Sequence, residues 1–160
     1  MDSAIIRPFR PADSGEIVNL FRATVREVNR RDYSADQVRA WAPDAIDTDA
    51  WAERLAASHC LVAERDRTIL GFGNLIDRGV IDLLFVHKDH QGRGIANALL
   101  AALETEARSR GLARLVTEAS LTARPFFERR GFHVIAAQDV AIRGQKLKNF
   151  RMRKTLAPEP

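Results

Sequence analysis

Residues 81–97 read Ile81-Asp82-Leu83-Leu84-Phe85-Val86-His87-Lys88-Asp89-His90-Gln91-Gly92-Arg93-Gly94-Ile95-Ala96-Asn97. The first six, dense in β-branched and large apolar side chains, have the composition of a strand, and the residues after Gly94 begin an apolar stripe at helical spacing. A strand therefore runs into a glycine-bearing helix start. The first four N–H groups of a helix have no partner within it, and the aligned peptide dipoles leave partial positive charge there. Such a start is a seat for phosphate. Gly92 and Gly94 lack the Cβ atoms that would hold an anion away from the backbone, and Arg93 adds a cation able to grip phosphate oxygens in a fork.

Placed between a strand and a helix, the spacing Gln91-x-x-Gly94-x-Ala96 resembles the acyl-coenzyme A pyrophosphate loop of the GNAT N-acetyltransferase superfamily. A second segment, Ser120-Leu121-Thr122-Ala123-Arg124-Pro125-Phe126-Phe127-Glu128-Arg129-Arg130-Gly131-Phe132, resembles the superfamily signature Asn-x-x-Ala-x-x-x-Tyr-Glu-Lys-x-Gly-Phe. The resemblance extends in element order over residues 3–156 and is specific at residues 81–96 and 120–132. It implies an α/β fold with a mixed, mostly antiparallel sheet flanked by helices, whose central strand pair splays to hold acyl-coenzyme A. It also implies that the main chain of Leu84, Phe85 and Val86 pairs with pantetheine as an added strand would. Gln91, Gly92, Arg93, Gly94, Ile95 and Ala96 would hold the pyrophosphate, and the Val86 N–H would face the oxyanion. Two departures stand out. Ser120 replaces an Asn that bonds the pantetheine arm, and Phe127 replaces a Tyr that often protonates the departing thiolate.

The rest of the chain suits one domain over residues 3–156 with a frayed tail at 157–160. Of its 160 residues, 46% are hydrophobic and 29% charged, the balance of a globular chain. The longest apolar run, within residues 95–103, is too short to cross a bilayer, and the start lacks a basic and hydrophobic leader, so a cytoplasmic protein without membrane partners is expected. Cys60 is the sole cysteine, which excludes an intrachain disulfide. His59, His87, His90 and His133 have no metal-ligand spacing, and no metal is expected. The formal charge of +4 serves an anionic cofactor as readily as a nucleic acid.

Periodicity predicts a first strand at Ile5, Ile6 and Phe9. A helix follows from Asp13, where Asp13 and Glu16 have capping-box spacing and Ile17, Leu20, Phe21, Val25 and Val28 share a face. Ser34 to Gln37 starts a second helix that stops at Pro43, and a third spans 49–57. A hairpin turns at residues 65–67, the helix after Gly94 closes at Gly111, a strand covers 115–119, Thr122 caps a short helix to Arg130, and a hairpin turns about Gly144. In the superfamily the early helices overlie the acceptor, so Tyr33 and Trp41, with Trp51, are candidate substrate contacts; aromatic residues at this spacing also build cores.

Acetyl transfer from acetyl-coenzyme A to a primary amine by direct attack, the activity the resemblance implies, needs an unprotonated nucleophile and hence a base or water relay. Asp82 and Glu118 are the candidates. Alternation puts Asp82 on the face of Leu84 and Val86, with Glu118 on the neighbouring strand, and for each the competing role is a salt bridge to an arginine. The expected acceptor is a small-molecule or peptide amine, no nucleic-acid partner is expected, and the chain is expected to act as a monomer or homodimer. Two other readings remain open: a nucleic-acid-binding module using Arg143, Lys146, Lys148, Arg151, Arg153 and Lys154, and a non-catalytic coenzyme A sensor on the same fold.

Overall fold

The computed structural model describes residues 4–156. The predicted tail at 157–160 lies outside the described residues. Twelve strands and helices of regular structure follow in the order β1 (Ile5–Pro8), α1 (Ser14–Glu27), α2 (Ala35–Trp41), α3 (Thr48–Ala56), β2 (His59–Arg65), β3 (Thr68–Ile76), β4 (Val80–Val86), α4 (Ile95–Ser109), β5 (Arg114–Ser120), α5 (Arg124–Arg129), β6 (His133–Ile142) and β7 (Gln145–Thr155). The strands form one seven-stranded sheet in the order β1-β2-β3-β4-β5-β7-β6. Every neighbouring pair is antiparallel except β4 and β5. This is the mixed, mostly antiparallel sheet that the resemblance implied.

The sheet separates two cores. On one face Leu99, Leu100, Leu103 and Ala107 of α4 pack with Leu75, Ile81, Leu115 and Met152, and on the other Ile17, Phe21 and Val25 of α1 pack with Val62, Ile69 and Phe72. Burial of such side chains stabilises by about 1.5–3 kcal/mol each. Close seating of α4 depends on Gly71 in β3: a Cβ there would lie 3.0 Å from Ile95 Cγ2 and 3.0 Å from the Phe85 carbonyl oxygen. The start of α4 is thereby pressed against the middle of the sheet.

Two predicted caps form differently. Asp13 does not cap α1; its carboxylate takes the Arg7 guanidinium at 2.8 and 2.9 Å and the Arg10 N–H at 2.8 Å. Glu16 in turn accepts the Ile69 N–H at 2.7 Å. A guanidinium brought by β1 and a backbone N–H brought by β3 take the two carboxylates from the local box. The box at Ser34 and Gln37 forms as its spacing predicts, with reciprocal bonds of 3.1 and 2.8 Å. At α5 the N-cap position is Ala123 and no side chain caps the helix; Thr122 makes no cap bond, and the Ser120 hydroxyl accepts the Ala123 N–H at 3.0 Å instead.

Candidate functional site

β4 and β5 pair at only two positions, Val80 with Val116 and Ile81 with Thr117. Thr117 Oγ1 closes this short ladder by donating to the Ile81 carbonyl at 3.0 Å. Beyond it the strands part. β5 is held on its other side by β7 along its whole length, so the gap opens on the β4 edge and becomes a cleft of about 980 Å³.

A bulge marks the divergence. Asn74 of β3 pairs with Leu83, while Leu75 pairs with Ile81, which leaves Asp82 as the extra residue. Bulges re-aim side chains, and this one corrects the alternation expected for Asp82. Leu84 and Val86 pack toward α4, but Leu83 and Phe85 pack toward α1. Asp82 joins the second set, because its carboxylate is taken in a two-point ion pair by Arg54 of α3, Nε to Oδ2 at 2.9 Å and Nη2 to Oδ1 at 2.8 Å. Glu118 also lines the cleft, from β5. It is exposed, and among the described residues it makes no hydrogen bond or ion pair. The predicted pair of carboxylates thus faces one cleft in two different states.

The β4 edge carries free donors. His87 N donates to the Leu70 carbonyl at 2.8 Å and Leu83 N to Asn74 Oδ1 at 2.8 Å, both toward β3. N–H directions alternate along a strand, so those of Leu84 and Val86 point into the gap. The Val86 carbonyl, on the same side, is capped twice, by Thr24 Oγ1 at 2.9 Å and Gln91 Nε2 at 2.8 Å. Gln91 therefore spends its side chain on the strand end.

After Gln91 the loop turns through positive φ at Gly92 (71°) and Gly94 (81°). L side chains are strained in this region, and a Cβ at either position would project into open space. A side chain there would occupy the volume in front of the helix start. Gly94 caps α4, Ile95 is buried beneath it, and Ala96 and Asn97 follow with their N–H groups in the first turn. Arg93 is exposed, its Nη1 3.4 Å from His90 Nδ1. Partial burial, with the positive neighbours His87 and Arg93, holds the His90 imidazolium below its ordinary range.

Three buried polar atoms in the cleft wall have no partner: Thr122 Oγ1, Arg130 Nε and Asn149 Oδ1. Buried polar groups are ordinarily hydrogen-bonded, so these are unmet donors and acceptors beside the loop and the β5 end. Ser120 borders them, its hydroxyl also 3.4 Å from Asn29 Nδ2. Phe127 lines the cleft but is core, 4% exposed and edge-on to Phe126 and Phe132 at 5.2 and 5.1 Å.

The opposite end of the cleft is aromatic. Phe21 lies 4.7 Å from Trp51 and 5.0 Å from Phe85, and Trp41 lies 5.6 Å from Tyr33 and 6.2 Å from Phe85. Tyr33 is buried, and its hydroxyl is fully used, accepting the Leu121 N–H at 2.9 Å and donating to the Lys148 carbonyl. Burial raises the Tyr33 hydroxyl above its ordinary range. Its ring borders the cleft while its oxygen ties β5 to β7.

Sequence reasoning missed Thr24, Asn29, Arg54 and Asn149. A signal exists for Thr24: it falls on the apolar stripe of α1, where a buried polar residue needs a partner, here the Val86 carbonyl. Asn29 and Arg54 carry no local signal, because their partners, Ser120 and Asp82, come from distant strands, and Asn149 carries none because only the fold brings its unpartnered Oδ1 to the cleft. Of the basic residues in the last hairpin, Lys154 pairs with Glu104 at 2.8 Å and Arg143 donates to the Ala40 carbonyl at 2.7 Å, so part of that charge is spent internally.

Three likenesses agree with this architecture. Over 153 residues the chain is 37% identical to the N-acetyltransferase YafP of Escherichia coli K12, covering 96% of this chain and 97% of that one. The crystal structure of a GCN5-related N-acetyltransferase from Rhodopseudomonas palustris superposes with a TM-score of 0.93 at 35% identity, covering 98% of each chain. YncA of Salmonella typhimurium, solved with acetyl-coenzyme A, shares the fold with a TM-score of 0.73 at 24% identity, over 98% of this chain and 96% of that one. Since residues 29–156 match the model of the acetyltransferase (GNAT) domain, the chain belongs to the GNAT family and is an acyltransferase.

Proposed function

We propose that the chain moves acetyl from acetyl-coenzyme A to a primary amine by direct attack, with no covalent intermediate on the protein. The observation that carries this is the union, in one cleft, of an unpaired β4 edge and an α4 start fronted by open space. A β edge takes an extended amide-bearing arm through main-chain bonds, and a helix start takes phosphate. YncA, which shares the fold, was solved with acetyl-coenzyme A. The unpartnered Thr122, Arg130 and Asn149 atoms fit the same ligand, since polar groups along a bound arm would meet them.

The thioester supplies an acetyl group already activated toward amines, so the protein's tasks are binding, orientation and proton handling. The Leu84 and Val86 N–H groups align the arm, and the Val86 N–H is placed to stabilise charge on the thioester oxygen. Backbone amides of residues 92–96 with Arg93 hold the pyrophosphate. Glu118 is the base, acting on the ammonium directly or through water, because both oxygens of Asp82 are already bonded to Arg54. Asp82 and Arg54 together shape the acceptor wall. Phe127 has no proton to give, so the thiolate leaves unaided or takes a proton from the new ammonium; free thiols titrate at about pH 8.5, which makes the thiolate a fair leaving group.

Thermal melting with and without acetyl-coenzyme A, followed by thiol release on adding amines, tests this. The thioester should raise the melting temperature and release thiol only when an amine is present. No melting shift at millimolar thioester would defeat the proposal.

A further inference from the structure

We infer that the acceptor is a small free amine on a flat, apolar body, of the arylalkylamine class, and not a polypeptide terminus. This rests on the acetyltransferase reading and deepens it. The acceptor end of the cleft is bounded by a wall pinned from both sides. α2 and the segment before it are tied to the last hairpin by three hydrogen bonds: Tyr33 Oη to the Lys148 carbonyl, Gln37 Nε2 to the Lys146 carbonyl at 2.8 Å, and Arg143 Nη1 to the Ala40 carbonyl at 2.7 Å. The link from α2 to α3 is tied to α1, where Arg22 donates to the Pro43 and Asp44 carbonyls at 3.1 Å each and Arg26 to the Ala42 carbonyl at 3.0 Å. Five side chains, through six hydrogen bonds, thus hold in place the residues an extended peptide would have to displace. Peptide recognition uses a free strand edge or an open groove, and the β4 edge is assigned to the cofactor arm.

What this wall encloses is aromatic. Phe21, Trp41, Trp51 and Phe85 present ring faces and edges to one another at 4.7–6.4 Å. Such a set offers a further ring offset or edge contacts, and an ammonium a favourable ring face. Glu118 supplies the charge that an ammonium seeks on the β5 side. Aliphatic amines of similar length would fill the space without the ring contacts, and polyamines would carry a second charge in among the rings, where the Asp82 carboxylate is already taken by Arg54.

The full chain with saturating acetyl-coenzyme A tests the inference through thiol release with 2-phenylethylamine, n-butylamine, spermidine and an unblocked alanine-started heptapeptide. We expect kcat/KM for 2-phenylethylamine to exceed that for n-butylamine and spermidine by at least about tenfold, the effect of one well-filled apolar contact, with no turnover of the peptide. Trp41→Ala should raise the KM for 2-phenylethylamine by about tenfold and leave the acetyl-coenzyme A melting shift intact. Trp51→Leu gives the same readout should the first variant fold poorly. Equal rates for the aliphatic and aromatic amines, a preference for the peptide, or no turnover of any of the four would overturn the inference while a persisting melting shift leaves the acetyltransferase reading standing. Loss of the melting shift as well would sink both.

Discussion

Arg54 and Asp82 meet in a two-point ion pair in the wall of the cleft, with the Asp82 side chain 20% and the Arg54 side chain 47% exposed. A half-exposed pair of this kind contributes at most about 1 kcal/mol to stability. Its larger effect, under the proposed mechanism, would be on field: the two charges cancel in the cleft where the amine would lose its proton. Arg54→Met would leave an uncompensated carboxylate, which favours the protonated amine, and Asp82→Asn would leave an uncompensated guanidinium, which disfavours it. The rising limb of kcat/KM against pH should therefore move to higher pH in Arg54→Met and to lower pH in Asp82→Asn. Shifts in the same direction would show that the pair does not act through its charge.

Gly94 is where the proposed pyrophosphate seat can be tested. Its φ of 81° and the open volume in front of it leave room that a carboxylate would fill with the wrong charge. Gly94→Asp should lose the melting shift with acetyl-coenzyme A altogether. Gly94→Ala should keep part of it and lose about 1–2 kcal/mol of stability, since an L residue is strained in that conformation. If Gly94→Asp melts with the thioester as wild type does, the pyrophosphate seat lies elsewhere.

Acid stability should report on the junction of β1 and α1. The hydrogen bond from Arg7 is the main cause holding the Asp13 carboxyl below its ordinary 3.8. A lowered carboxyl stabilises the fold at pH values above that ordinary value, and the contribution disappears as pH falls through the folded-state value. Asp13→Asn should cost about 1.5–3 kcal/mol at pH 7, the range for a hydrogen bond to a charged group. Urea unfolding at pH 7 and pH 3 checks this: the gap between wild type and variant should narrow at pH 3.

What could be read from residues alone followed how local the determinant was. The change of period across Gly92 and Gly94, from a strand to an apolar helical stripe, is a local pattern, and Ile95, Leu99, Leu100, Leu103 and Ala107 are all buried as that stripe requires. The capping box at Ser34 is equally local. Alternation mis-faces Asp82 because a bulge is a mismatch between two strands, and neither strand alone carries its mark. Asp13 bonds Arg7, the third residue of β1, a partner outside the reach of a helix-start rule. Asn29, brought to Ser120 by the packing of α1's end against the sheet, had no partner within its own segment.

The pH profile is the sharpest test of the proton path. Phe127, buried among Phe126 and Phe132, has no proton to give at the position where the superfamily often has a Tyr, so no falling limb from a tyrosine is expected. With Glu118 free of partners and Asp82 held by Arg54, one apparent ionisation should govern the rise of kcat/KM with pH, and Glu118→Gln should lower kcat by about a hundredfold, the ordinary worth of a positioned base. The melting shift with acetyl-coenzyme A should survive in that variant, because Glu118 is not among the groups that grip the cofactor. Asp82→Asn should cost less than Glu118→Gln, since it alters the field without removing the base. Were Glu118→Gln to turn over at the wild-type rate while binding the thioester, the amine would be losing its proton to solvent, and Glu118 would be only a surface carboxylate facing Arg151 across the β5–β7 ladder.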